Sequence, residues 1–336
     1  FAAVKRQVDI LATSFSADAR VRGVFTDLLN PGSELRTDFT IGTNQFAGVE
    51  LFVPLGKSQL FATLGGARVF VAPRASFDRR IVNGYVDSEL VAEYRFKRTG
   101  AGLDVGFTSG RRSEVRLGYD VRDVRGRRRV GDPILPEAEG TDRFASLRWA
   151  FDGQNSPLVP TRGLYVRASL TRFFASAQAT VVDGAGPSVA EPDRFWQGEA
   201  RATWLQRVRG RDRLMLFGGG GSSFGDTPAV NAFSLGGPLR LSSFSRDEVR
   251  GPNYVHAGAG YLKRLFRLPD FLGSDVLAGG WLETGSAFDR AADADLEWSA
   301  TGGISIESLL GPVFGGISSG SNGGLKFYVA LGPLFR

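Results

Sequence analysis

The feature that most constrains this chain is a two-residue alternation of apolar and polar side chains that recurs along most of its length. In 163–171, GLYVRASLT, Leu164, Val166, Ala168 and Leu170 share one face, and Tyr165, Arg167, Ser169 and Thr171 share the other. In 113–122, Val115, Leu117, Tyr119 and Val121 oppose Glu114, Arg116, Asp120 and Arg122. Segments 34–41 and 89–97 repeat the pattern, with Leu35, Phe39 and Ile41 against Glu34, Arg36 and Asp38, and Leu90, Tyr94 and Phe96 against Glu89, Glu93 and Lys97. Successive side chains of a strand point to opposite sides, so this chain reads as all-β.

A soluble sandwich also alternates. Two features favour a transmembrane antiparallel barrel. The polar face carries charges of both signs on strand after strand, which suits a wet lumen as well as a solvated surface. The apolar face has aromatic ends: in 195–205, FWQGEARATWL, Trp196 and Trp204 share a face with Gly198, Ala200 and Ala202 between them. Eight residues at about 3.3 Å each, tilted by ~40°, set the indoles roughly 20 Å apart along the membrane normal. That matches two interfacial aromatic belts. Small residues between them suit lipid contact better than a sandwich core, where voids are costly. No apolar run reaches the ~18 residues of a membrane helix.

Sixteen strands are predicted, at 5–13, 18–29, 33–42, 46–55, 67–82, 88–110, 113–126, 142–152, 163–176, 193–209, 211–223, 253–266, 273–288, 296–308, 311–320 and 325–335. The length of 88–110 suggests a break near Thr99–Gly100. From Asp152 onward, short connections at 209–211, 267–273 and 309–311 alternate with longer ones at 177–192, 224–252 and 289–295. Short turns on one side, long loops on the other and an even strand count match bacterial outer-membrane barrels, whose short turns are periplasmic. Residues 1–336 then form one barrel domain with both ends on the periplasmic side.

Composition narrows the chemistry. The absence of cysteine excludes disulfides and thiolate metal sites. His256 is the only histidine, so no histidine-based metal site is expected, and it reads as a hydrogen-bonded lumen residue opposite Val255, Ala257, Ala259 and Tyr261. The net charge of +6 is spread along the chain, and no basic, aromatic-interleaved surface for nucleic acid stands apart from the lumen pattern. Arg127–Arg129 fall at an extracellular strand end, where lipopolysaccharide phosphates are one partner and plain solvation the blander reading. The chain starts at Phe1 with no signal-like stretch, as a processed product or fragment would.

One segment fits neither strand nor helix: FSLGGPLRLSSFSRDEVRG, 233–251, inside a connection far longer than usual. Together with DGQNSPLVPTRGLYVRASL (152–170), LETGSAF (282–288) and LKFYVALGPLF (325–335), it resembles the bacterial surface antigen barrels, the outer-membrane insertase and translocator superfamily. FVAPRASFDRR (70–80) and AEYRFKRTGAGLDVGF (92–107) are most similar to the barrels of patatin-like phospholipases secreted as type Vd autotransporters. The resemblance implies that loop 224–252 folds back into the lumen. In the family the loop tip reads Arg-Gly-aromatic, or Ser-Gly-Tyr in many patatin-type members, and the arginine pairs with an acid on the strand here at 273–288.

Residue by residue, Gly236 and Gly237 match the family's glycine pair, Phe244 the aromatic and Glu283 the acid. Ser242 and Ser243 replace the arginine and the glycine. The expected fastening is therefore by neutral hydrogen bonds from these serines, aided by Arg240 or Arg246, or by simple packing against the inner wall. The ending, with Leu325, Phe327, Val329, Leu331 and Phe335 on one face, resembles the signal read by the barrel assembly machinery, although Arg336 follows the usual terminal phenylalanine. The resemblance implies a membrane anchor and translocator for a passenger lipase absent from this chain, with no cofactor. An insertase or two-partner translocator, a passive pore and a purely structural anchor remain as alternatives.

Three motifs imitate an enzyme: GISSG at 316–320 around Ser318, DGA at 183–185 with Asp183, and the glycine run 218–223. Patatins place the serine before the aspartate, the reverse of the order here. The nucleophile elbow also needs a strand-turn-helix, whereas 311–335 reads as a hairpin.

Overall fold

The computed structural model describes residues 18–57, 68–86, 88–132, 135–156, 159–183, 186–188, 194–225, 227–269, 273–308 and 311–331. Its first eight strands are β1 (Asp18–Thr26), β2 (Glu34–Gly42), β3 (Gln45–Lys57), β4 (Arg68–Val86), β5 (Glu89–Ser109), β6 (Ser113–Val130), β7 (Glu137–Asp152) and β8 (Gly163–Ala175). A small extramembrane pair follows, β9 (Gln178–Asp183) and β10 (Gly186–Ser188). Next come β11 (Trp196–Val208), β12 (Asp212–Phe224), and the short loop strands β13 (Phe233–Leu235) and β14 (Val249–Gly251). The wall resumes with β15 (Asn253–Arg267), β16 (Gly273–Phe288), β17 (Glu297–Ser308), β18 (Gly311–Gly320) and β19 (Leu325–Leu331).

Each wall strand pairs antiparallel with the next, from β1 through β8, then β11, β12 and β15 to β19. The fold is a transmembrane antiparallel β-barrel. Fifteen of the sixteen expected strands coincide with these wall strands, and the one expected at 5–13 lies outside the described residues. Among the described residues no helix is long and apolar enough to cross a membrane; the strands cross instead.

Side-chain direction follows the alternation. On β6, Leu117, Tyr119 and Val121 are exposed outward, whereas Asp120 between them is buried inside. On β17 and β18, Trp298, Ile304 and Ile317 face out while Ser299, Thr301, Ser305 and Ser318 are buried inside. Water in the lumen and lipid outside account for both faces, and the antiparallel ladders pair the backbone between neighbouring described strands.

Three details depart from the sequence reading. β5 runs unbroken through Thr99 and Gly100, which pair with Phe77 and Ser76 on one side and Asp123 and Arg122 on the other. Its register shifts lie instead at Val91, skipped opposite Gly84/Tyr85 of β4, and at Glu93/Tyr94 against β6. β4 and β6 continue beyond their expected ends, to Val86 and Val130, and β7 begins earlier, at Glu137. On this side of the barrel, tall hairpins take the place of long loops. The connection at 177–192 holds β9, which pairs with β7.

The lumen is chemically divided. On β2 to β7, Arg36 and Arg116 both reach Glu50 (3.0 and 2.6 Å), Arg116 and Arg74 both reach Asp104 (3.2 Å each), and Arg74 continues to Asp120 (2.7 Å). Arg148 also binds Asp104, which is fully buried. On β11 to β18, the inner wall holds an apolar cluster of Leu205, Met215, Leu262, Leu277, Trp281 and Phe314.

Candidate functional site: the lumen loop and its fastening

The chain leaves the wall at the end of β12 (Phe224) and re-enters it at β15 (Asn253). Backbone chemistry shapes the loop. β13 and β14 pair as Phe233↔Gly251 to Leu235↔Val249, making a short ribbon at its neck. Phe233 and Val249 pack with buried Leu235, Leu241, Phe244 and Tyr254, so the ribbon and the tip share one small core with the wall. Gly236 (φ +128°) lets the chain turn under itself: a Cβ there would lie 1.8 Å from the Ser245 carbonyl oxygen. Its amide donates to Arg240 O at 2.6 Å, and Gly237 N donates to Phe244 O at 3.0 Å.

The turn has an unusual backbone. Leu239 (φ +60°) and Leu241 (φ +68°) are left-handed, a conformation that β-carbons disfavour. Ser243, which stands where the family has glycine, is not among the positive-φ residues. The two left-handed leucines aim successive amide N–H groups at one point on the wall, a concave anion-binding arrangement of the backbone. That point is Glu283.

Glu283 is 3% exposed on the inner face of β16 and accepts from the loop directly. Its Oε1 takes Leu241 N (3.0 Å); its Oε2 takes Ser242 N (2.9 Å) and the Ser242 hydroxyl. Trp281 Nε1 donates to Oε2 and to Ser242 Oγ, 3.1 Å each, and His256 Nε2 stands 3.3 Å from Oε1. Ser242 Oγ accepts again from Leu239 N at 3.2 Å. The hydroxyl thus uses its one donor and both acceptor positions. Buried polar groups left unpaired are costly, and here they satisfy one another.

The neighbouring serine binds the next strand. Ser243 N donates to Ser299 Oγ on β17 at 3.1 Å, and the two hydroxyls are 2.7 Å apart. Gly320 on β18 makes room: a Cβ there would meet Ser243 Oγ at 2.2 Å. The last described strand also holds the loop. Tyr328 OH donates to the Ser242 carbonyl, and Lys326 Nζ donates to Ser245 Oγ at 2.8 Å and pairs with Glu248 at 3.4 Å. Asn322 Nδ2, just before β19, donates to Ser243 O at 2.9 Å. The tip therefore bridges β16, β17 and β19.

The expected helpers lie elsewhere. Arg240 turns to Ser234 O (2.8 Å) and stacks over the Tyr254 ring, 5.4 Å from its centroid. It does not reach Glu283. Arg246 makes no contact with Glu283 either. Pro238, Leu239 and Arg240 close a lumen cavity of about 260 Å³ whose wall includes Arg167, Arg201 and His256.

The other expected positions are placed as follows. Trp196 and Trp204 both lie on the outer face of β11, with Arg172 over the Trp196 ring at 5.3 Å. Phe327 and Val329 are exposed on the outer face of β19; Leu331 ends that strand, and Phe335 is outside the described residues. Ser318 is buried inside β18, accepting a hydrogen bond from Thr301 Oγ1 (3.0 Å), far from any strand-turn-helix elbow. Asp183 ends β9, and Gly184 and Ala185 lie outside the described residues. His256 is a lumen-facing residue in hydrogen-bond reach of Glu283, as its parity suggested. The sequence reading missed the roles of Leu241, Trp281, Ser299 and Tyr328, and inward parity on their strands was the available signal for the last three.

The comparisons agree with this geometry. No curated protein matches the chain. Among solved structures it is similar to BamA from Haemophilus ducreyi lacking POTRA domains 1-3, with TM-score 0.67 and 14% identity over 94% of this chain and 67% of that one. It is also similar to CdiB from Acinetobacter baumannii (TM-score 0.53, 9% identity) and CdiB from Escherichia coli (0.51, 16%), spanning 57% of the length of each. These likenesses cover 94% and 93% of this chain. The Omp85 superfamily domain model matches residues 25–334. The chain is an outer-membrane β-barrel and belongs to the Omp85 superfamily.

Proposed function

We propose that this barrel anchors an N-terminal passenger, a patatin-like lipase domain outside the present sequence, and helps deliver it across the outer membrane. The observation that carries a translocator reading is the fastening of the lumen loop by Glu283, Ser299 and Tyr328 at once. A passive pore gains nothing from a segment bonded across its interior. A translocator needs a barrel that is shut at rest and can yield when substrate arrives. Support for the lipase subgroup comes from the segments at 70–80 and 92–107 and from a serine, Ser242, at the position where the superfamily usually has arginine. On this reading the partners are outer-membrane lipid, the barrel assembly machinery through the ending at 325–335, and the passenger in cis.

A second reading, insertase or two-partner translocator, is favoured by the likeness to BamA and CdiB. It requires the edge of β19 to separate from the strand expected at 5–13.

The test is to express the chain with its natural upstream region and label the passenger from outside with a membrane-impermeant reagent. Surface labelling that depends on the barrel supports the leading reading. A passenger retained in the periplasm beside a folded barrel contradicts it. Loss of other outer-membrane proteins on depletion of this chain would favour the insertase reading instead.

A further inference from the structure

The register of β3 to β7 sorts the outer wall into rows of directly opposed residues. The lowest row that spans β4 to β7 is Val69, Phe107, Val115 and Trp149. Apolar residues dominate the rows above it; Arg143, opposite Val121, is the first charge, and Thr99, Asp123 and Thr141 follow in the next row. The next row reads Gln45, Arg79, Lys97, Arg125 and Glu139, and beyond it Arg95 stands opposite Arg127. From Phe107 to Lys97 the strand climbs ten residues, about 33 Å along its axis or ~25 Å along the normal at 40° tilt. That is the full height of the apolar band of an outer-membrane barrel. The cations therefore sit level with the headgroups on the side away from the short turns, which is the outer leaflet.

Like charges directly opposite across strands are destabilising. Here Arg79 faces Lys97, Lys97 faces Arg125, and Arg95 faces Arg127. The nearby carboxylates serve only one flank: Asp123 and Glu139 pair with Arg125, Glu137 and Glu139 with Arg127, and Glu93 with Arg129. On the β4–β5 flank Arg79 has only Gln45 among the described residues, at 3.3 Å. Lys97 has no hydrogen-bond or ionic partner among the described residues, and Arg95 Nε is buried without one. An arrangement that gathers repelling cations above an apolar wall, and leaves their donors unspent, is complementary to an amphiphile with phosphates over acyl chains.

We propose that Arg79, Arg95 and Lys97, extended by Arg125 and Arg127, form a docking site for the phosphates of lipopolysaccharide, the glycolipid of the outer leaflet, whose acyl chains then cover the apolar rows beneath. The site is separate from the lumen loop and requires no translocation activity.

The full chain folded in detergent micelles is titrated with purified lipopolysaccharide, and bound lipid is counted by native mass spectrometry. The triple variant Arg79→Gln, Arg95→Gln, Lys97→Gln is compared, with heat-modifiable gel mobility confirming that it folds. Roughly one kcal/mol per surface cation near an anionic membrane predicts binding weaker by tenfold or more for the triple variant, and by about threefold to fivefold for Lys97→Gln alone. Lys97→Gln keeps the test decisive should the triple variant fail to fold, because that side chain supports nothing else. Dephosphorylated lipopolysaccharide is expected to bind as weakly to the wild type as the intact glycolipid binds to the triple variant. Unchanged affinity in the variants, equal binding of the dephosphorylated lipid, or complete competition by millimolar inorganic phosphate would overturn the site.

Discussion

Ser242 gives both its backbone N–H and its hydroxyl to one carboxylate, that of Glu283. Where the superfamily pattern leads one to expect a guanidinium, this chain supplies two main-chain amides, a hydroxyl and an indole. The fastening is thus built from the shape of the loop backbone rather than from a charged side chain.

Removing the acceptor should free the tip. Glu283→Ala strands the N–H groups of Leu241 and Ser242 in a buried place, each at about 1–3 kcal/mol unless the loop moves out. The expected result is a lower barrel melting temperature, a larger single-channel conductance, and new protease cuts within 236–248. Unchanged melting and conductance would show that Glu283 holds nothing.

Restoring the family arginine should not help. In Ser242→Arg the long side chain enters a site whose residue is fully buried, and whose carboxylate is already engaged by backbone amides and Trp281. Overpacking of this kind costs about 1–3 kcal/mol. A melting temperature below wild type is expected, and a rise would show that the arginine lock remains latent in the fold.

Much of this was legible in the sequence, including hydrogen bonds from Ser242 and Ser243 at the loop tip, but not the backbone half of the fastening. Alternation located fifteen of the wall strands because one face must meet lipid and the other water. It placed His256 inside by parity, whereas Glu283 was reached through the family resemblance. It could not show that Leu239 and Leu241 adopt left-handed backbones, since bulky residues carry no signal for that conformation. Backbone amides likewise have no letter of their own, so their replacement of an arginine was invisible. The supposed break at Thr99–Gly100 was misread because β5 outruns the bilayer: its outward face turns polar there while pairing continues. The lumen ion lattice joins Arg74 to Asp120, 46 positions apart, which only the three-strand register reveals.

That lattice makes its own prediction. Asp104 is fully buried and meets Arg74, Arg116 and Arg148. Asp104→Asn removes the shared anion and leaves three guanidiniums facing one another. Breaking a buried ionic group by removing one partner costs about 3–5 kcal/mol. Melting of the detergent-solubilised barrel should fall accordingly, while the loop at 236–248 stays protected, because none of these residues touches it.

The last strand should respond separately from the lock. Tyr328→Phe combined with Lys326→Met removes the bonds from β19 to Ser242 O, Ser245 and Glu248 and leaves Glu283 in place. At about 1 kcal/mol per hydrogen bond, the effect on overall melting is small. Hydrogen exchange across 325–331 should quicken markedly, with little change in 239–244. Unchanged exchange in β19 would mean that the loop does not steady that edge.

The central claim is that this loop lies inside the barrel, bonded to the wall. The chain has no cysteine, so an introduced pair supplies its only thiols. The hydroxyls of Ser243 and Ser299 are 2.7 Å apart, and replacing both by cysteine leaves Glu283 and Ser242 untouched. Mild oxidation of the variant Ser243→Cys, Ser299→Cys, assembled in the outer membrane, should give an intramolecular disulfide that a reductant reverses. Two free thiols, with the one at position 243 readily alkylated from the cell exterior by an impermeant maleimide, would contradict the account.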